Sequence, residues 1–219
     1  MIGGAIFDVD GTLLDSMGIW EEAGARYLQR IGIMPEEALG RTLFPMTIEE
    51  AALYMKERYG LQQSPAAVEA GILDTVREFY FQEAPLKEGA AAFLEAMARK
   101  GVPMVVASSS EESHLEAAFR RLGIRQYFEK LLTCAQVGEG KSSPAIYLEA
   151  AAYLGAAPED ICVFEDALYA LQTAKKAGFR TIGVYDVFSE GDWKTIEKKA
   201  DLALADWRET HLFWRYVSM

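Results

Sequence analysis

Two carboxylates, Asp8 and Asp10, stand two residues apart in "IFDVDGTLLDS", directly after an apolar run and directly before a glycine. Like charges repel and burial is costly for both, so their placement at the end of a buried strand calls for a chemical reason. Further along the chain, other reactive groups follow apolar runs in the same way. Ser108, Ser109 and Ser110 come after "VPMVVA", Lys141 lies in "GEGKSSP", and Glu165 and Asp166 close "ICVFED". Together these supply a nucleophile, hydroxyl donors, one cation and a second acidic pair. Four acidic groups with a single lysine suit a hard divalent cation bound through oxygen, with Mg²⁺ as the expected ion. Hydroxyls, loop N–H groups and a lysine suit a phosphoryl group, and the ion and the phosphate belong together because one bridges to the other.

The elements that would position these groups are legible as short, almost continuously apolar runs at 4–9, 102–108, 130–134, 161–165 and 180–185, with a weaker edge candidate at 202–206. Continuous rather than alternating apolar character is what a strand covered on both faces requires. Helical patterns fill the intervals at 89–100, 111–123, 144–155, 167–177 and 191–199, and Gly101, Gly123, Gly155 and Gly178 follow four of them as helix stops. This alternation implies a parallel α/β sheet with right-handed crossovers, whose carboxyl edge forms the default ligand crevice. From Ser16 to Pro85 the pattern is helical throughout, broken at Gly60 and at "SP" (64–65) into at least three helices. That stretch is too long for an ordinary connection and implies an inserted subdomain. The expected division is a core of 1–15 with 86–219 and an inserted helical subdomain of 16–85.

Composition narrows the function classes. The 219 residues carry a net charge of −11 and a pI near 4.8, which disfavours a general nucleic-acid binder while leaving small anionic substrates open. No apolar run approaches the ~20 residues of a membrane span, and "MIGGAIFDVD" has no signal-peptide pattern, so the expected location is the cytoplasm, with no membrane partner. Cys134 and Cys162 follow apolar residues in expected strands and read as small core residues. Ser110 reads as a cap for the helix beginning near Glu111, and Ser109 as a backbone phosphate contact. Met17, Trp20, Phe44 and Met46 are candidate substrate-pocket residues, although apolar burial alone favours a cap-core reading for Trp20 and Phe44. The aromatic tail "HLFWRYVSM" suggests either a dimer patch or packing on its own core, giving an expected monomer or weak homodimer.

Taken in order, "DVDGT" (8–12), Ser108 ending "VVAS", Lys141 in "GKSSPAIY" and "VFED" (163–166) resemble the four motifs of the haloacid dehalogenase superfamily, over nearly the whole chain. The resemblance implies a Rossmann-like three-layer α/β core with a parallel sheet and an inserted α-helical cap. It also implies Mg²⁺-dependent hydrolysis of a small phosphorylated metabolite through an aspartyl-phosphate. By it, Asp8 is the nucleophile, Asp10 the general acid and base, and Ser108 and Lys141 hold phosphoryl oxygens. Asp8, Asp166 and the Asp10 carbonyl ligate the metal, with Glu165 as a further or outer ligand. Retention of an acid at position 10 points to phosphate esters rather than dehalogenation or phosphonate cleavage. A β-phosphoglucomutase-type mutase is the nearer rival, but its usual cap histidine corresponds here to Trp20. After the acidic pair the family often has serine and, three residues later, glycine; here these are Ala167 and Ala170. A phospho-acceptor receiver domain shares the acidic pair, Ser/Thr and Lys, but has neither the helical insertion nor the nucleophile on its first strand.

Overall fold

The computed structural model describes residues 2–218. Six strands, β1 (Gly4–Phe7), β2 (Met104–Ser108), β3 (Lys130–Thr133), β4 (Ile161–Glu165), β5 (Arg180–Val184) and β6 (Leu202–Leu204), form one parallel sheet in the order β3-β2-β1-β4-β5-β6. The apolar runs became strands because both faces are covered. Every residue of β1, β2 and β4 is buried. On one face Ile6, Val105 and Val163 pack with Tyr147 and Ile146. On the other, Phe7 stacks on Phe164 at 4.4 Å between ring centres, and Phe93, Phe213 and Trp207 close around the pair. The aromatic tail therefore includes a core element, with Phe213 fully buried.

Strand order reverses at β1: the chain runs outward to β2 and β3 on one side and to β4, β5 and β6 on the other. That switch point is where an open α/β sheet leaves a crevice beyond its carboxyl ends. Register places Phe7 beside Val106 and Phe164, so the residues just past β1 lie level with the ends of β2 and β4.

The chain forms two compact units, one built from residues up to Asp15 and from Pro85 onward, the other from Ser16–Ala84. The second unit holds α1 (Ile19–Arg30), α2 (Leu39–Leu43), α3 (Ile48–Tyr59) and α4 (Pro65–Gln82). Its breaks are chemical. Thr47 and Glu50 form a reciprocal capping box at the start of α3, Gly60 ends that helix in a left-handed conformation, and Ser64 with Pro65 starts α4. The short α2 was not expected from the sequence.

The sheet-bearing unit carries α5 (Ala90–Arg99), α6 (Glu112–Arg121), α7 (Cys134–Val137), α8 (Ala145–Leu154), α9 (Leu168–Lys176), α10 (Glu190–Lys199) and α11 (Thr210–Val217). Its two chain crossings are tied to each other. Asp15 donates to the Pro85 carbonyl at 3.0 Å, Lys87 to that of Leu13 at 2.9 Å, and Leu14 bridges Leu86 antiparallel. Among the described residues no helix is long and apolar enough to cross a membrane.

One expectation fails here. Cys134 does not end a core strand; it opens α7 and is only partly buried, whereas Cys162 lies fully buried in β4. The cause is local: Thr133 accepts from the Gln136 N–H while the Gln136 side chain accepts from the Thr133 N–H, and this capping box stops the strand at Thr133.

Candidate active site

Asp8 leaves the buried end of β1 and Asp166 follows the end of β4, and these neighbouring strand ends bring their carboxylates together. One oxygen each from Asp8, Glu165 and Asp166 lies within 4.8 Å of the others, and all three residues are buried. Close approach depends on Gly11. Its φ of 80° suits glycine, and a Cβ there would sit 2.6 Å from Asp166 Oδ2. A side chain at position 11 would push the second acidic pair away from the first.

Lys141 arrives on the turn between α7 and α8, after the left-handed Gly138 ends α7. Its ammonium is buried, donates to Asp8 Oδ1, and donates to Glu165 Oε1 at 2.7 Å. Burial alone would lower its pKa, but the charges of Asp8 and Glu165 outweigh that and hold it above the ordinary lysine value. Burial raises Glu165, with Asp8 and Asp166 adding to the effect and Lys141 opposing it. Burial and the nearby Asp8 raise Asp166, while the Ser189 hydroxyl opposes them.

When all three carboxylates are ionised, the single ammonium leaves an excess of two negative charges inside the cluster, and burial raises Glu165 and Asp166 against that excess. Asp8 Oδ2 is buried and has no hydrogen-bond partner among the described residues. An orphaned carboxylate oxygen among further carboxylates is the donor set of a hard divalent cation. The residues present therefore fit such an ion.

The serines divide their work differently from the expectation. Ser108 is fully buried at the end of β2, and its Oγ accepts the Ser110 N–H at 3.0 Å, which leaves the hydroxyl proton available for donation. Ser110 is not a side-chain helix cap. Its hydroxyl donates to Asp10 Oδ2 at 2.6 Å, and α6 starts after Glu111 with no side-chain cap. The helix begins one residue later than expected, which frees Ser110 to orient Asp10. Ser109 is exposed, with its Oγ 3.5 Å from Cys134 Sγ.

The structure adds three groups that sequence reasoning missed. Tyr147, buried in α8, donates to the same Glu165 Oε1 that Lys141 uses, at 2.6 Å. The Trp207 indole donates to the Thr12 carbonyl at 2.9 Å and so pins the turn that carries Asp10 and Gly11. Ser189 donates to Asp166 Oδ2 at 2.8 Å. The tyrosine had a visible signal, since "GKSSPAIY" places it six residues after Lys141, on a helix that returns to the sheet. Replacing Tyr147 with Phe removes a donor to a buried charged oxygen. The expected result is a loss of about 1.5–3 kcal/mol in urea unfolding of the metal-free protein, with little change in m-value.

The four cap candidates fall differently. Within the Ser16–Ala84 unit, Trp20, Phe44 and Met46 line one cavity of about 310 Å³, whereas Met17 is not among its lining residues. Trp20 and Phe44 are 40% and 52% exposed, so the cap-core reading is wrong for both. Ala23, Gly24, Leu43, Ile48, Ala51 and Ile72 line the rest of the cavity.

Comparison with known proteins agrees with this architecture. The model of the haloacid dehalogenase-like hydrolases matches residues 2–178, and the chain belongs to that family. A Thermotoga maritima protein named phosphorylated carbohydrates phosphatase is 28% identical over 200 residues, which cover 91% of this chain and 92% of that one. Hexitol phosphatase A of Escherichia coli K12 is 29% identical over 181 residues, covering 83% of this chain and 82% of its own. Among solved structures, a Thermotoga maritima protein provisionally described as a β-phosphoglucomutase superposes with a TM-score of 0.84 at 25% identity, over 98% of this chain and 99% of that one.

Proposed function

We propose that the chain is a Mg²⁺-dependent phosphatase of small phosphorylated metabolites, with phosphorylated sugars and polyols as the first substrates to test. The observation that carries this reading is the buried cluster of Asp8, Glu165 and Asp166 around one lysine, with Asp8 Oδ2 left without a partner. The names of the carbohydrate and hexitol phosphatases support the substrate class.

In this reading Asp8, Asp166 and the Asp10 backbone carbonyl would hold the ion. When bound, it supplies positive charge against the transferring phosphoryl group and its nucleophile. Asp8 attacks phosphorus, and Asp10, oriented by Ser110, gives its proton to the leaving oxygen as the ester P–O bond breaks. Asp10, now ionised, takes a proton from water as that water attacks the aspartyl-phosphate. The P–O bond to Asp8 breaks and inorganic phosphate leaves. Ser108 donates to a phosphoryl oxygen, a Ser109 backbone N–H adds a second donor, and Lys141 offsets the charge between Asp8 and the incoming phosphate. Glu165 Oε1, already held by Lys141 and Tyr147, serves first as the counter-charge that fixes the lysine.

The Ser16–Ala84 unit is assigned the role of a cap that selects the leaving group, with Trp20, Phe44 and Met46 as its apolar determinants. The same reading places the reaction in the cytoplasm, with both cysteines as free thiols.

The mutase reading has one observation in its favour, the similarity to the protein described as a β-phosphoglucomutase. A single assay separates the two. Phosphate release is measured across phosphorylated sugars, polyols, nucleotides and glycolate, with Mg²⁺ and with a chelator, and β-glucose 1-phosphate is followed for isomerisation. Chelator-sensitive phosphate release from sugar or polyol esters is the expected result. Conversion of β-glucose 1-phosphate to the 6-phosphate without net phosphate release would favour the mutase.

A further inference from the structure

Ser189 lies outside the stretch matched by the family model, in the loop that follows β5, and yet its hydroxyl reaches Asp166 Oδ2 at 2.8 Å. Ser189 ends a short 3₁₀ turn, Val187–Ser189, that runs directly into α10; its backbone is not extended as a capping residue's is, and its side chain makes no cap bond. The hydroxyl is committed to the acidic cluster instead.

The loop is built to hold it there. Asp186 is buried, accepts the Phe188 N–H at 2.9 Å, and pairs with Lys87 at 2.8 Å. Lys87 also donates to the Tyr185 carbonyl at 2.6 Å, and the Ser189 N–H donates to the Asp186 carbonyl at 3.1 Å. The turn between β5 and α10 is thus clamped at its β5 end by Lys87 and closed internally onto Asp186.

Asp166 has few other restraints on its orientation. Thr12 Oγ1 stands at the long distance of 3.5 Å from Oδ1, and the residue that follows the acidic pair is Ala167, which has no hydroxyl to offer. Gly11 limits Asp166 only by leaving room for it.

We propose that Ser189 is a positioning residue for the divalent ion: by fixing Oδ2 of Asp166 it turns the other carboxylate oxygen toward Asp8. This rests on the metal-binding reading given under Proposed function. Groups that orient a ligating carboxylate commonly change metal affinity by about 10–100-fold when removed. Ser189 itself contacts neither substrate nor reacting atoms in this assignment.

The test is calorimetric titration of the whole, metal-free protein with Mg²⁺ alone, alongside thermal unfolding with and without the ion. Ser189→Ala is expected to raise the Mg²⁺ dissociation constant about tenfold or more. Its unfolding temperature without metal should fall modestly, because the buried Asp166 Oδ2 loses a hydrogen-bond donor, and the Mg²⁺-induced rise should shrink in addition. Ser189→Thr retains the hydroxyl and is expected to bind within about threefold of wild type, well short of the tenfold step. Equal dissociation constants for Ser189→Ala and wild type, or an equal loss in the Ala and Thr variants, would overturn the assignment while leaving the metal reading intact. A wild-type chain that binds no Mg²⁺ would overturn both.

Discussion

Asp8→Asn is expected to abolish phosphate release, by at least about 10³-fold, while leaving a folded protein whose metal-free form is as stable as wild type or more so. Both halves follow from the charge count at the end of β1. Asp8 is the carboxylate nearest Lys141, and its Oδ2 is buried without a partner. An amide of the same shape cannot attack phosphorus to form an acyl-phosphate, so the covalent step is lost whatever the substrate. The amide oxygen can still accept from Lys141, and the cluster then holds two carboxylates against one ammonium rather than three. Asp8 is one of three buried carboxylates that share a single ammonium, so its loss lowers the repulsion within the ionised cluster while Lys141 keeps Glu165 as a partner. Phosphate release and thermal unfolding, each measured in chelator and in Mg²⁺, check the two halves separately. Full activity in Asp8→Asn would sink the nucleophile assignment; a large loss of metal-free stability would show that the charge count is wrong.

The comparison of sequence with structure turns on how local each signal is. The strand ends were legible because a strand buried on both faces must be apolar throughout, so "GAIF" and "ICVF" announce themselves and the polar residues that follow stand out. Breaks in the helical insertion were legible for a similar reason: a left-handed Gly60 and a Ser64–Pro65 start are local chemistry. Thr133 and Gln136 carried an equally local signal, a capping-box spacing that would have moved Cys134 out of its strand. Ser110 and Ser189 were not legible in that way. A serine before a helix reads as a cap, and what turns each toward Asp10 or Asp166 is a carboxylate 100 or 23 residues away. Trp207 is the extreme case, since its partner carbonyl at Thr12 is 195 residues distant and nothing in "ADWRE" points to it. Trp20 and Phe44 went wrong through a rule that treats large apolar residues as interior, whereas these two line a cavity.

Lys141→Met is expected to be as inactive as Asp8→Asn and to differ from it in the opposite stability effect. Methionine fills a similar volume, so packing is nearly preserved and the change isolates the charge. Without the ammonium, Asp8, Glu165 and Asp166 face one another with no cation of the described residues inside the cluster. Breaking a buried pair by removing one partner costs about 3–5 kcal/mol. Activity should fall by about 10³-fold, because the phosphoryl group then meets unscreened carboxylates and loses a charged donor. The pH dependence sharpens the test. Burial holds Glu165 and Asp166 above their ordinary values in the folded chain, so each contributes stability that is present below its unfolded pKa and lost as pH rises through its folded pKa. Wild type without metal should therefore lose stability between about pH 5 and pH 8, and Lys141→Met should lose more over the same range, because the lysine that opposed both shifts is gone. Mg²⁺ should restore stability in both proteins, more at the upper end of that range, where the ligands are ionised. Urea unfolding at the two pH values, with and without Mg²⁺, reads all of these at once. A Lys141→Met protein as stable as wild type at the higher pH would mean that the three carboxylates are not held together as the buried cluster requires.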